Sequence, residues 1–233
     1  MTADPILIQI RKEGRTTATE VESKQFLQRA GIPVVETQPA RTEEEAIHLG
    51  MEMGFPVAMK IISPEITHKS DSGGVKLGLR NIDEIKAAYD QIMRSVKSLY
   101  PAAQLQGVSV QKMARPGQEI IIGMSKDPQF GPLLMFGIGG IMVEVMKDVA
   151  FRLVPLKPRD AHEMIKEIKG YSLLTGFRGV EAVDILFLER LLLKVSDLIE
   201  RHPEIKEFDL NPVIAHKDGA VVADSRIVLE EEA

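Results

Sequence analysis

The chain reads as an α+β protein, on three observations. The first half alternates helix-start signals with short apolar strands. The second half opens with five strand-like runs separated by turns, in the pattern of an antiparallel sheet. Two helical stretches then follow, of which the second is the longer, and a last group of strands closes the chain. This is not a repeated βαβ array, so a doubly wound parallel sheet is not expected.

Residues 1–18 form a weakly patterned lead-in around Ile6-Leu7-Ile8. Thr19-Glu20-Val21-Glu22 reads as a capping box, a hydroxyl with a carboxylate three residues later. The helix behind it turns Val21, Phe26, Leu27 and Ala30 inward and stops at Gly31. Ile32-Pro33-Val34-Val35 is a short extended run. Thr42-Glu43-Glu44-Glu45 opens a second helix that ends at Gly54. A strand over 56–62 and another over 74–79 flank a polar loop. Asn81 caps a third helix with Ile85, Ala88, Ile92, Val96 and Leu99 on its apolar stripe, ended by Pro101. Strands are expected over 107–113, 119–124 and 132–137, and 141–146 with 149–155 form a hairpin. Helices follow at 159–168 and near 181–201, then strands at 204–209, 212–216 and 219–223.

Composition bounds the function. The net charge of -5 argues against a general nucleic-acid footprint. With no tryptophan and 5% aromatic residues, stacking platforms for single strands are few. The absence of cysteine excludes disulfides, thiolate catalysis and cysteine-based zinc sites, and fits a reducing cytoplasm. No run is long and apolar enough to span a membrane, and the N-terminus lacks the pattern of a signal peptide. A cytoplasmic protein acting on neither membranes nor nucleic acids is therefore expected. At 233 residues the chain suits one large module or two lobes.

The loop between the first two strands carries Thr67, His68, Lys69, Ser70 and Asp71, and then Gly73-Gly74 leads into Val75. Missing side chains and free N–H groups let a backbone wrap a polyphosphate. Lys60 at the preceding strand end offers a cation for phosphate; the same position suits a lysine that snorkels to solvent. His68 is a candidate nucleophile or phosphoryl carrier, or else a solvent-facing loop histidine. Gln111-Lys112-Met113 runs from strand into turn, where backbone groups can meet an adenine edge. Glu119, across that turn, can accept from two ribose hydroxyls; without further context a solvated hairpin with charged residues explains both more simply. Asp209 and Asn211 lie two apart on one strand, hence on one face. Carboxylate and amide oxygens together suit Mg²⁺, as they also suit an Asx turn before Pro212. Arg152 is a cation on a strand, fit for a transferring phosphoryl group or for plain surface. His48, His162, His202 and His216 have no metal-ligand spacing.

GFPVAMKI, SPEITHKSDSGGVKLGL, GMSKDPQFGPLLMFGIGGIMVEVMKDVAFRLVPL and FDLNPV together resemble the ATP-grasp fold. More narrowly they are similar to the β subunit of ADP-forming acetate–CoA ligase. The resemblance implies a single module over 1–233 with a nucleotide between two lobes. The small α+β lobe spans 32–108; the larger lobe, 109–233 with 1–31, carries the mainly antiparallel sheet. Carried over by position, Lys60 meets the nucleotide phosphates and Gly73, Gly74 and Val75 lie over them. Gln111, Lys112 and Met113 face adenine, and Glu119 the ribose. Asp209 and Asn211 hold Mg²⁺, Arg152 supports the transferred phosphoryl group, and His68 is the phosphohistidine. The implied reaction is acetyl-CoA + ADP + Pi ⇌ acetate + CoA + ATP. The implied cofactors are ATP/ADP and Mg²⁺, and the implied partner is a CoA-binding α subunit in an α₂β₂ assembly. A carboxylate–amine ligase and a non-catalytic nucleotide-binding regulatory module are the alternatives. The first usually carries an extra acceptor domain, and the second can lose the grasp residues that are all present here.

Overall fold

The computed structural model describes residues 4–66, 69–140, 148–179 and 181–231. The chain divides into two compact units. The smaller comprises Thr19–Val21 and Val35–Ala114, and the larger Met1–Ala18, Glu22–Val34 and Arg115–Ala233.

In the smaller unit a four-stranded antiparallel sheet has the order β1-β4-β2-β3, with β1 at Thr37–Ala40, β2 at Val57–Ile61, β3 at Val75–Leu79 and β4 at Val108–Lys112. Helices α3 (Glu43–Met53) and α4 (Ile82–Leu99) pack on it. Their buried Ala46, Leu49, Ile85, Ala88, Ile92 and Val96 join Val57, Met59, Ile61, Val108 and Val110 in one core. Both helix starts follow the local chemistry. Thr42 accepts from the Glu45 amide at 3.2 Å, while the Glu45 carboxylate accepts from the Arg41 amide at 2.6 Å. Asn81 accepts from the Glu84 amide at 2.9 Å.

One expectation fails here. Leu99 is 60% exposed, because α4 makes its last core contact at Val96. The extended run over 32–35 makes only an isolated bridge, Val34 with Val222, and the first strand of the chain is Thr37–Ala40. Pro39 sits in it because β1 is an edge, where a missing N–H disrupts no ladder.

In the larger unit the order is β10-β8-β5-β6-β7, with β9 also paired to β8. The strands are β5 (Gln118–Asp127), β6 (Gly131–Ile138), β7 (Val149–Leu153), β8 (Ile205–His216), β9 (Gly219–Val222) and β10 (Ser225–Leu229). Its helices are α1 (Pro5–Lys12), α2 from Glu22 onward (the helix as a whole is Glu20–Arg29), α5 (Pro158–Glu167), the short α6 (Tyr171–Leu174) and α7 (Ile185–Arg201). Leu188, Leu191, Leu192, Val195, Leu198 and Ile199 make the buried stripe of α7. They pack in one core with Ile120, Ile122, Leu134, Phe136, Phe208 and Leu210 from one face of the sheet.

The expected lead-in is in fact helix α1, with Asp4 accepting from the Ile6 amide at 2.8 Å and Pro5 in the first turn. The two strands expected over 204–209 and 212–216 are one strand. Pro212 does not end it, because it falls at a register shift against β5 between Ile120 and Ile122. On the other side of β8 the partner changes there from β10 to β9. A residue without an N–H is tolerated at such an irregularity. The expected strand over 141–146 lies outside the described residues; of the expected hairpin, 149–155 is described and contains β7.

Among the described residues no helix is long and apolar enough to cross a membrane.

Candidate functional site

In the smaller unit the β2–β3 hairpin brings together Lys60, Gly74 and Val75. Lys60 and Val75 are register partners, and the Ile61 amide donates to the Gly74 carbonyl at 2.8 Å. The approach of Gly73 and Gly74 is a tight turn held from within. The Gly74 amide donates to the Lys69 carbonyl at 2.8 Å, and the Ser72 hydroxyl donates to the same oxygen at 2.8 Å. Gly73 has φ of +67°, and a Cβ on Gly74 would lie 2.6 Å from Ile61 Cγ2 and 3.0 Å from the Lys69 carbonyl oxygen. These glycines are therefore required by the turn itself.

Lys60 is only 5% exposed and does not snorkel. Its ammonium lies 2.7 Å from Glu20 Oε1, and the Lys69 ammonium lies 2.7 Å from Glu20 Oε2. One buried carboxylate thus holds two cations, one oxygen each. The sequence reading treats Glu20 as part of a helix start and misses this role.

Gln111 is buried in β4 opposite Ala58, and Lys112 is exposed at the strand end. The Lys112 amide donates to the Glu36 carbonyl at 3.1 Å and the Met113 amide to the Pro56 carbonyl at 3.4 Å. The expectation of spare backbone groups at this strand end does not hold for these two donors: the chain already uses both.

In the larger unit, register decides which side chains share a surface. Phe208 and Leu210 point to the helical core, so Asp209 points away from it. Ile120 is likewise inward, so Glu119 shares the face of Asp209. Glu119 runs beside a second glycine pair. Its carbonyl accepts from the Gly139 amide at 2.8 Å, and a Cβ on Gly140 would lie 3.1 Å from Glu119 Oε2. Asn211 is exposed beside the irregularity at Pro212, and its amide donates to the Asp224 carbonyl at 3.2 Å.

Burial pushes the Asp209 carboxyl above the ordinary aspartate range. The Arg226 guanidinium, on its register partner, pulls it back, and the Asp224 charge raises it further. Asp224 is a carboxylate that the sequence reading does not assign. Its signal is an aspartate at the turn just after β9. Among the described residues no group of three or more His, Cys, Asp or Glu gathers as a metal site. The oxygen donors Asp209, Asn211 and Asp224 are chemically suited to Mg²⁺, which takes few protein ligands and fills its remaining positions with water and phosphate.

Arg152 is not brought to this face. Its register partner is the inward-facing Leu134, and its guanidinium lies 2.6 Å from the Glu167 carboxylate of α5. The residues of β7 on the Asp209 side are Phe151 and Leu153, both exposed. The structure therefore gathers Arg152 with Glu167 and not with Asp209 and Glu119. His68 lies outside the described residues.

The ATP-grasp domain model matches residues 9–229, more than nine-tenths of the chain. The chain belongs to the ATP-grasp family. Within this family it is 47% identical over 223 residues to the β subunit of ADP-forming acetate–CoA ligase I from Pyrococcus furiosus, covering 96% of both chains. Two solved ATP-grasp structures from Ca. Korarchaeum cryptofilum are similar to it. Both are of dinucleotide forming acetyl-coenzyme A synthetase 1. One, in complex with coenzyme A, Ca-AMPCP and HgCl+, has a TM-score of 0.94 and 48% identity over 97% of this chain and 98% of that one. The other, with coenzyme A and Mg-AMPPCP, has its phosphohistidine segment pointing towards the nucleotide binding site, and matches with a TM-score of 0.83 and 45% identity over 97% of this chain and 98% of that one.

Proposed function

We propose that this chain is the nucleotide-binding β subunit of an ADP-forming acyl-CoA synthetase. With a CoA-binding α partner it completes acetyl-CoA + ADP + Pi ⇌ acetate + CoA + ATP. The observation that carries the reading is the near-full-length likeness to a β subunit of that ligase.

In this reading Lys60 neutralises nucleotide phosphate and the Gly73-Gly74-Val75 turn lies over it, although the Gly73 and Gly74 amides are already committed to the Ser70 and Lys69 carbonyls. The strand end Gln111-Lys112-Met113 lies along adenine. Because the Lys112 and Met113 amides are committed within the chain, recognition there falls to carbonyl oxygens and side-chain surface. Glu119 binds the ribose. Asp209 and Asn211, with Asp224 beside them, hold Mg²⁺, which supplies charge neutralisation for the polyphosphate. Arg152 has no part in the transfer; its pair with Glu167 ties β7 to α5.

His68 carries the phosphoryl group. The N–P bond of phosphohistidine breaks as a β-phosphate oxygen of ADP forms the new O–P bond, leaving neutral histidine and ATP. A phosphoramidate retains enough transfer potential for this step. The α partner binds CoA and forms the acyl phosphate, and the assembly is an α₂β₂ heterotetramer in the cytoplasm.

The test is reconstitution with the candidate α partner and an assay of acetyl-CoA-dependent ATP synthesis. His68→Ala should abolish ATP formation and keep acyl-phosphate formation. Full turnover by that variant contradicts the relay. Mg·ADP binding without any phosphoryl transfer in the reconstituted wild type contradicts catalysis and favours a regulatory module.

A further inference from the structure

Glu20 is deeply buried in the smaller unit, its side chain only 2% exposed. A lone carboxylate in such a place is costly, and ion pairing with good geometry is what makes it tolerable. Its two oxygens each meet a different lysine at 2.7 Å, and the two lysines come from separate parts of the chain. Lys60 lies on β2. Lys69 begins the turn that delivers Gly73 and Gly74, and its carbonyl is the acceptor for both Gly74 and Ser72. Glu20 itself sits in the first turn of α2, where the helix N-terminus favours an anion.

We propose that Glu20 is a positioning residue for the nucleotide phosphates: it fixes the Lys60 ammonium and the Gly73-Gly74 turn relative to one another before any phosphate arrives. This rests on the reading of Lys60 and the glycine turn as the phosphate-facing groups. A lysine carries three N–H donors, and the bond to Glu20 sets the direction of the ammonium. Two lysines on one carboxylate gather cations beside the glycine turn. Holding both groups in place ahead of binding removes an ordering cost that the nucleotide would otherwise meet. Removing the Glu20 charge leaves the buried Lys60 and the part-buried Lys69 without their shared anion, and the turn loses one of its ties to β2.

The experiment compares wild type, Glu20→Gln and Glu20→Asp, as full chains. ADP with Mg²⁺ is titrated calorimetrically and adenosine by NMR, with thermal unfolding as a check on folding. Glu20→Gln should lose tenfold or more in ADP affinity and less than twofold in adenosine affinity. Glu20→Asp, which keeps the charge but withdraws it by one methylene, should fall between. A purely structural role would weaken both ligands alike, and that outcome overturns the proposal. So does Glu20→Gln binding ADP within twofold of wild type. If Glu20→Gln does not fold, Glu20→Asp decides: a threefold or greater loss confined to ADP supports the proposal, and wild-type affinity overturns it. Failure of the wild type itself to bind ADP overturns the nucleotide-binding reading as well, which separates the two failures.

Discussion

The two groups of charged residues are prepared in opposite ways. On the β2–β3 hairpin the cations are matched within the chain, with Lys60 and Lys69 sharing the Glu20 carboxylate in a buried cluster. On the outer face of β5 and β8 the Asp209 carboxylate is incompletely compensated. Asp209 is pushed towards its neutral form by burial and by Asp224, and the Arg226 guanidinium only partly offsets this. A cation that must meet phosphate can be held ready by an acid, because a lysine has donors to spare. A metal-binding carboxylate cannot be held ready by a lysine without blocking the metal. The difference teaches that this fold holds the cations of its proposed phosphate side in place and leaves Asp209, on its proposed metal side, short of compensating charge.

The largest expected effect breaks the metal side of that contrast. Asp209→Asn should weaken Mg²⁺-dependent ADP binding by roughly 100-fold, the upper end for losing a metal-site group. The same substitution should raise the thermal midpoint at neutral pH by roughly 2 °C, because it removes a buried, repelled charge. The pH dependence has two signs. Asp209 takes up its proton at a higher pH than an ordinary aspartate of 3.8, so Mg·ADP affinity should fall early on acidification. For stability, a carboxyl whose folded value is raised favours folding below its unfolded value, and that contribution is lost as pH rises through the folded value. The stabilisation by Asp209→Asn should therefore be full at neutral pH and vanish in acid. A variant less stable than wild type at neutral pH contradicts the description of Asp209.

On the hairpin, Gly74→Ala should cost about 1–3 kcal/mol of stability, since its Cβ meets Ile61 and the Lys69 carbonyl. Chemical denaturation measures this, and an unchanged midpoint means that the turn is looser than described. The smallest effect belongs to Arg152→Ala. Its pair with Glu167 is partly exposed and worth at most about 1 kcal/mol. Phosphoryl transfer in the reconstituted enzyme should stay within twofold of wild type. A hundredfold loss would return Arg152 to the site.

What the sequence made legible was local chemistry. The caps at Thr42 and Asn81, the stripe of α4 up to Val96 and the strands flanking the Gly73-Gly74 turn are all set by residues close in sequence. The signal of Asp4-Pro5 at the start of α1 was equally local and went unread. Long-range pairing was not legible. β1 contains Pro39 and is a strand because β4 pairs with it; β10 is a strand because β8 does. Pro212 looked like a strand end because the irregularity that accommodates it depends on β5, some 90 residues earlier in the chain. Arg152 was misplaced for a related reason. Between Phe151 and Leu153 it looks like the outward residue, yet register puts it on the helix side and its apolar neighbours on the other. Glu20 lies 40 residues from Lys60 and 49 from Lys69, so nothing in its local sequence marks it as their shared counter-ion.

The central claim is that this chain binds a nucleoside diphosphate together with a divalent cation. Calorimetric titration of the chain with ADP, in the presence of Mg²⁺ and then of excess chelator, tests it most directly. The account predicts saturable binding that is strongly weakened by the chelator in the wild type and insensitive to it in Asp209→Asn. Absence of ADP binding in the wild type, or binding equally tight with and without Mg²⁺, would contradict it.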